Sequence, residues 1–206
     1  MPTTLPLHLK YRPQTLESLV GQPDVQTTLS NAVKRNRIPP AILLIGPKGT
    51  GKTSTARIFA KSINCLSDRP TLNPCGKCES CRSIESSISL DVTEMDAASH
   101  GGVDDARELI QRIQIAPVKG AYRVVILDEA QMLTREAQNA LLKTFEEPPG
   151  HVVFILCTTD PHKILPTIVS RCLTLTFRSL AIDTVCNHLK HIADQEAIAI
   201  TSDAIR

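Results

Sequence analysis

Short unbroken apolar runs alternate along this chain with segments in which apolar residues recur every three or four positions. The runs are residues 41–46 (AILLIG), 122–130 (YRVVILDEA) and 151–160 (HVVFILCTTD). They suit strands buried on both faces of a parallel sheet, where neither face has to meet water. Residues 90–97 (LDVTEMDA) and 172–177 (CLTLTF) alternate apolar with polar positions and predict two more strands. Between the strands the spacing is helical. Residues 22–38 place Val25, Leu29 and Val33 on one face, and Pro39 and Pro40 stop that helix. Residues 52–64 (KTSTARIFAKSIN) predict a helix that starts inside a glycine-rich loop. Residues 102–116 set Leu109, Ile110 and Ile113 together, with Asp104 and Asp105 in the first turn, where the helix dipole favours anions. Residues 134–147 predict a helix capped by Thr134 and stopped by Pro148 and Pro149. The first 22 residues read as a proline-bearing arm. From Ser179 the pattern reads as helical to the end, with a further cap in TSDAIR. Strands alternating with helices imply right-handed crossovers and one parallel sheet covered on both faces, an α/β fold.

Composition narrows the function. The chain of 206 residues is 42% hydrophobic, enough to bury a sizeable core, and carries a net charge of only +2. That charge is too small to imply nucleic acid by itself. Aromatics are 3%, which argues against a single-strand binder built on base stacking. No apolar run approaches the ~20 residues that cross a bilayer, and the N-terminus lacks a signal-peptide core, so a cytoplasmic location without membrane attachment is expected.

The segment GPKGTGKT, residues 46–53, matches Gly-x4-Gly-Lys-Thr between a predicted strand and a predicted helix, the context that this phosphate-binding motif requires. Gly49 and Gly51 let backbone N–H groups turn toward an anion, and the helix N-terminus adds partial positive charge. Lys52 can reach β- and γ-phosphates, and Thr53 can hold Mg²⁺. The candidate ATP-binding set is therefore Gly46, Pro47, Lys48, Gly49, Thr50, Gly51, Lys52, Thr53 and Ser54. Downstream, VVILDEA delivers Asp128 and Glu129 to a strand end. Asp128 suits Mg²⁺, and Glu129 suits orienting and activating the attacking water. The competing readings are a chance glycine-rich turn and a pair of solvated acids. Arg171, in ILPTIVSRC, could stabilise transferred phosphoryl charge on another subunit's nucleotide, or form a surface salt bridge.

Four of seven cysteines, Cys65, Cys75, Cys78 and Cys81, are spaced Cys-x9-Cys-x2-Cys-x2-Cys. In a reducing compartment four thiolates suit a closed, structural Zn²⁺ site, with an iron–sulfur cluster or a redox pair as the competing readings. The insertion spans about residues 65–82. Cys157, Cys172 and Cys186 fall in apolar stretches and read as buried thiols.

Taken together, YRPQTLESLVGQ, GPKGTGKTSTARIFAKSINC, PCGKCESC, EMDAASHGGVDDAREL, LDEAQMLTREAQNALLKTFEEPP and TTDPHKILPTIVSRC resemble the AAA+ clamp-loader ATPases, the bacterial ones in particular, over nearly the whole chain. The resemblance implies an AAA+ domain over residues 1–179, with the zinc insertion inside it, and the beginning of a helical lid over 180–206. It implies that Tyr11, Arg12, Pro13 and Val20 border the adenine. It implies that Thr159, with Thr158 as the neighbouring candidate, senses the γ-phosphate, and that Arg171 acts in trans. It also implies that the helix near Val103, with His100 before it, faces primer–template DNA. The implied activity is ATP hydrolysis within a DNA polymerase III holoenzyme. The implied partners are other loader subunits in a hetero-pentamer, the sliding clamp and primer–template DNA. Family members continue into a lid carrying a sensor-2 arginine and then a collar, so the chain reads as an N-terminal fragment. Two other readings compete: a non-hydrolysing structural loader subunit, whose phosphate loop is degenerate in that type, and a zinc-dependent DNA-binding module with an idle ATPase fold.

Overall fold

The computed structural model describes residues 6–201 and 204. Five parallel strands form one sheet: β1 (Ala41–Ile45), β2 (Val92–Asp96), β3 (Arg123–Asp128), β4 (Val152–Thr158) and β5 (Leu173–Thr176). Their spatial order is β2-β3-β4-β1-β5. The three apolar runs are the three central strands, because only central strands are covered on both faces and hydrogen-bonded on both sides. The register places Ile45 beside Thr158 and Leu127 beside Leu156, so the C-terminal ends of β1, β3 and β4 lie side by side.

Alternation within each strand splits the core in two. Ile42, Leu44, Val124, Ile126, Val153 and Ile155 face one layer. That layer is built by α2 (Pro23–Lys34), α3 (Lys52–Asn64) and α4 (Glu79–Glu85). Leu43, Val125, Leu127, Phe154 and Leu156 face the other. There α5 (Val103–Ile113), α6 (Arg135–Glu146) and α7 (Pro166–Val169) close the opposite side. Phe59 and Phe154 are among the largest fully buried side chains, one per layer. At roughly 1.5–3 kcal/mol for each buried large apolar side chain, these layers hold the sheet rigid enough to present its loops in fixed positions.

Several elements depart from the pattern reading. The arm contains a short helix, α1 (Leu7–Lys10). The cysteine segment carries α4, which the pattern does not announce. Its Cys78 Sγ accepts from the backbone N–H of Cys81 and so caps the helix, a role that Ser, Thr or Asp usually fills. The helical pattern that runs on from Ser179 is interrupted: α8 spans Ile182–Gln195 only. Glu196 terminates it and Ala197 adopts a left-handed backbone. Of TSDAIR, Ser202, Asp203, Ile205 and Arg206 lie outside the described residues.

Candidate nucleotide site and cysteine cluster

A parallel α/β sheet concentrates chemistry beyond the C-terminal ends of its strands, where loops meet helix N-termini. Here the loop after β1 leads into α3, with Gly51 as its N-cap. Gly49 and Gly51 have φ of 82° and 97°, conformations that a side chain would strain. The first amides of α3 have no partner within the helix and form a ready anion cradle. Lys52 is buried, and its Nζ donates to Gly46 O at 2.8 Å and Pro47 O at 2.9 Å. Its charge is thereby parked under the loop. β3 brings the acids alongside. Thr53 Oγ1 donates to Asp128 Oδ2 at 2.8 Å, and Asp128 Oδ1 accepts from the Glu129 N–H at 3.0 Å. A cavity of about 290 Å³ opens at this mouth, lined in part by Lys48, Lys52, Thr53, Asp128 and Glu129. The hydroxyl and carboxylate already in contact are the hard oxygen donors that Mg²⁺ prefers, so the donor set fits that ion.

Arg12 also lines this cavity, its Nε donating to Ser54 Oγ at 3.0 Å. Arg12, which the resemblance implies borders the adenine, stands at the first turn of the phosphate-loop helix. Tyr11 is turned away from the mouth, its hydroxyl donating to Glu196 Oε1 at 2.6 Å. Glu196 also pairs with Lys10 at 2.6 Å, so the arm is tied to the residue that ends α8. Pro13 lines a small hollow with Gln14, Arg57 and Lys61. Val20 precedes a larger hollow of about 280 Å³ between the arm, β5 and the start of α8, lined in part by Gly21, Gln22, Thr176, Arg178 and Thr184. Gln22 builds it. Buried, it donates from Nε2 to Arg178 O at 2.8 Å and accepts at Oε1 from Arg178 N at 3.1 Å. The sequence does not show this clasp on Arg178, because the two residues lie 156 positions apart.

Beyond β4, Thr158 is fully buried and Thr159 exposed. Both are hydrogen-bonded to Gln131, a residue that the motif reading passes over. Arg171 is brought to none of these groups. It stands two residues before β5, and Leu173 pairs with Ile42 at the beginning of β1, so Arg171 sits at the edge of the sheet opposite the phosphate loop. There it donates to Thr167 O at 2.7 Å and pairs with Glu146 at 2.9 Å, half-exposed. Both readings of Arg171 therefore stand: it does make a surface salt bridge, and it faces away from its own chain's loop. His100 is exposed, 3.5 Å from Asp105, and the outer face of α5 pairs Arg107 with Asp104 and Arg112 with Glu108.

The four spaced cysteines converge. Their sulfurs all lie within 4.8 Å of one another. Cys65 ends α3 and Cys81 lies in α4, so the cluster pins the loop between two helices that pack together. Backbone N–H groups of Cys75, Cys78 and Cys81 point at Cys65, Cys75 and Cys78 Sγ at 3.3–3.5 Å. The Ser67 hydroxyl and the backbone amides of Cys78 and Lys77 pull the Cys75 thiol down to about 5. Burial pushes Cys65 up, but the surrounding amides outweigh it and leave the thiol below its ordinary value. Burial holds Cys81 above its ordinary value. Four convergent sulfurs with amide donors are the chemistry of a closed, thiolate-bound metal, and Zn²⁺ fits. Of the other three cysteines, Cys157 is buried and its thiol is pushed well up; Cys172, pushed up to about 11 by burial, and Cys186 are only half-buried, which corrects the sequence reading.

Residues 21–181 match the family model described as DNA polymerase III, delta subunit. The chain is 51% identical over 201 residues to the DNA polymerase III subunit gamma/tau of Mycobacterium tuberculosis, covering 97% of this chain and 34% of that protein. It is 47% identical to the tau subunit of Escherichia coli, covering 92% and 29%, and 43% identical to that of Bacillus subtilis, covering 97% and 35%. The chain thus spans about a third of the length of these relatives. Among solved structures, the Thermotoga maritima RuvB Holliday junction branch migration motor superposes with a TM-score of 0.67 over 95% of this chain and 58% of its own, at 18% identity. A gamma subunit-related protein of the same organism gives 0.52 over 82% and 53%, at 20% identity. At these identities the likeness speaks to the fold alone, a parallel sheet flanked by helices on both faces.

Proposed function

The chain belongs to the DNA polymerase III subunit family defined by the delta-subunit model and shared with the gamma/tau relatives, and from that membership we propose that it is the ATP-hydrolysing motor module of a bacterial replicative clamp loader. The observation that carries this reading is the 2.8 Å contact between Thr53 and Asp128 at the mouth of an intact phosphate loop, with Glu129 next in the chain. A structural subunit that binds no nucleotide has no need of Lys52, Thr53, Asp128 and Glu129 together.

In this reading Lys52 leaves its two carbonyl acceptors to meet the β- and γ-phosphates of ATP, and the amides at the start of α3 take the remaining charge. Mg²⁺, held by Thr53 and Asp128, supplies neutralisation of charge on the phosphate oxygens. Glu129 accepts a proton from the attacking water. Arg12 adds a cation to the same mouth. Arg171, at the far edge of the sheet, serves the nucleotide of a neighbouring subunit. The hollow around Gln22 and Arg178 receives the base, and α8 opens a helical lid whose Ile182 and Val185 are exposed and available to pack. A Zn²⁺ held by the four cysteines joins α3 to α4 and does no chemistry, since all four positions are protein ligands. ATP bound between subunits favours the arrangement that grips the sliding clamp and primer–template DNA, and hydrolysis releases it. We place the protein in the cytoplasm; among the described residues no helix is long and apolar enough to cross a membrane.

The test is Lys52→Ala in the full-length assembly. Loss of nucleotide binding and of DNA-stimulated hydrolysis is expected. Hydrolysis equal to that of the unaltered protein would remove the motor reading.

A further inference from the structure

We propose that Gln131 is a positioning residue that couples the water-activating carboxylate of Glu129 to the threonine pair at the end of β4, so that the state of Thr159 sets the aim of Glu129. The proposal rests on the ATPase reading above. Gln131 sits in a single 3-10 turn, Ala130–Met132, directly after Glu129. Its amide makes four bonds at once. Nε2 donates to Glu129 Oε2 at 2.5 Å and to Thr159 Oγ1 at 3.0 Å. Oε1 accepts from Thr158 Oγ1 at 2.8 Å and from Thr159 N at 3.3 Å.

Chemistry fixes the orientation of this amide. A carboxylate can only accept, so Nε2 must face Glu129; a backbone N–H can only donate, so Oε1 must face Thr159. The two demands agree, and both hydrogens and both lone pairs are used. Glu129 needs such a hold. Its backbone is left-handed, φ 48° and ψ 43°, a conformation costly for a residue with a side chain. Asp128 Oδ1 restrains its amide, and Gln131 is the partner of its carboxylate. Strain of this kind at a strand end serves to aim a group.

The sensing side follows from the same geometry. Thr159 Oγ1 accepts from Gln131 through one of its two lone pairs, and its hydroxyl hydrogen can be donated to an anion. Thr158 O accepts from Gly46 N at 3.1 Å, so this segment is bonded directly to the phosphate loop. A γ-phosphate that engages Thr159 redirects the hydroxyl, and Gln131 transmits that change to Glu129. ADP offers no such contact.

The experiment uses full-length protein with Gln131→Leu, Glu129→Gln and the double variant. For Gln131→Leu, kcat is expected to fall about 10- to 100-fold, the scale of a misaimed catalytic group, with KM changed less than ~3-fold. In the Glu129→Gln background the same substitution should change kcat less than ~2-fold, because the route through Glu129 is already cut. A second readout does not use turnover: hydrogen exchange at the Met132 and Leu133 amides, which bond within this turn to Glu129 O and Ala130 O. A non-hydrolysable ATP analogue should slow it more than ADP does. That difference should vanish in Gln131→Leu although both nucleotides still bind. Thr158→Val, which removes a single donor to the amide, should give a smaller kcat loss, ~3- to 10-fold, and covers the case in which Gln131→Leu fails to fold. Unchanged kcat in Gln131→Leu, a loss that multiplies with that of Glu129→Gln, or a surviving ATP–ADP exchange difference would each overturn the proposal. Hydrolysis that is sensitive to Lys52→Ala but not to Gln131→Leu refutes only this coupling; hydrolysis insensitive to Lys52→Ala refutes the ATPase reading and the coupling with it.

Discussion

Asn64 offers the sharpest test of how the site is held in place. It is the last residue of α3, fully buried, one position before Cys65. Its Nδ2 donates to Tyr122 O at 2.7 Å, and its Oδ1 accepts from Ala121 N and Tyr122 N, both at 2.9 Å. These bonds fasten the helix that begins at the phosphate loop to the strand that ends at Asp128. Asn64→Ala strands three backbone polar groups in a place with little room for water. At about 1 kcal/mol net for each lost bond, and more for any group left dry, the loss is about 3 kcal/mol. For a domain of this size each kcal/mol moves Tm by roughly 2–4 °C, so a fall of about 6–12 °C is expected. The assay is calorimetry on the full-length protein, following the transition of this domain. Hydrogen exchange at Ala121 and Tyr122 checks that the loss is local to this junction. Asn64→Asp keeps the acceptors but turns an oxygen toward Tyr122 O, so it should also destabilise. A Tm change under about 2 °C for Asn64→Ala would refute the claim that this side chain is the joint between loop and acids.

Three other outcomes follow. Full-length protein prepared under reducing conditions should contain one Zn²⁺ per chain by metal analysis, and chelation should speed hydrogen exchange across residues 65–85 while nucleotide affinity stays within ~3-fold; equal exchange with and without metal would refute the clip. Asp91 accepts from Val118 N, Lys119 N and Gly120 N at 2.5–2.8 Å; burial alone would push its carboxyl up, but the three amides outweigh it and the pKa is lowered below the ordinary 3.8. Its stabilising contribution is therefore present above that value and lost as pH falls through the lowered one, so exchange at residues 118–120 should accelerate only below about pH 4, and in Asp91→Asn that acid step should disappear. Arg171→Ala placed in one subunit of a mixed assembly should lower hydrolysis by about 10³-fold at the adjacent site and leave its own site's nucleotide affinity unchanged; a loss confined to its own site would refute the trans role.

Much of the architecture is legible in local pattern. Ile42 and Leu44 face one layer and Ala41 and Leu43 the other, which is the alternation that an unbroken apolar run already implies when both faces are buried. The phosphate loop announces itself because its chemistry depends on neighbours in sequence: Gly49, Gly51, Lys52 and Thr53 act through one backbone turn. Four cysteines within 17 residues are legible for the same reason. α4 escapes the pattern because its cap is a sulfur, and the end of α8 escapes it because Glu196 is held from the arm by Tyr11 and Lys10.

The sequence by itself determined the periodicities, the loop that can cradle phosphate, the acids at the end of an apolar strand and a sulfur set suited to metal. All of these are contacts between residues close along the chain, where spacing and geometry are the same thing. Only the tertiary structure decided that Arg12 meets Ser54, that Gln22 clasps Arg178, that Gln131 spans Glu129 and two threonines, and that Arg171 lies at the edge away from its own loop. Those relations depend on strand order. The β2-β3-β4-β1-β5 arrangement sets β4 between β1 and β3, bringing together segments about 30 to 160 residues apart, and no local propensity encodes which strand becomes whose neighbour.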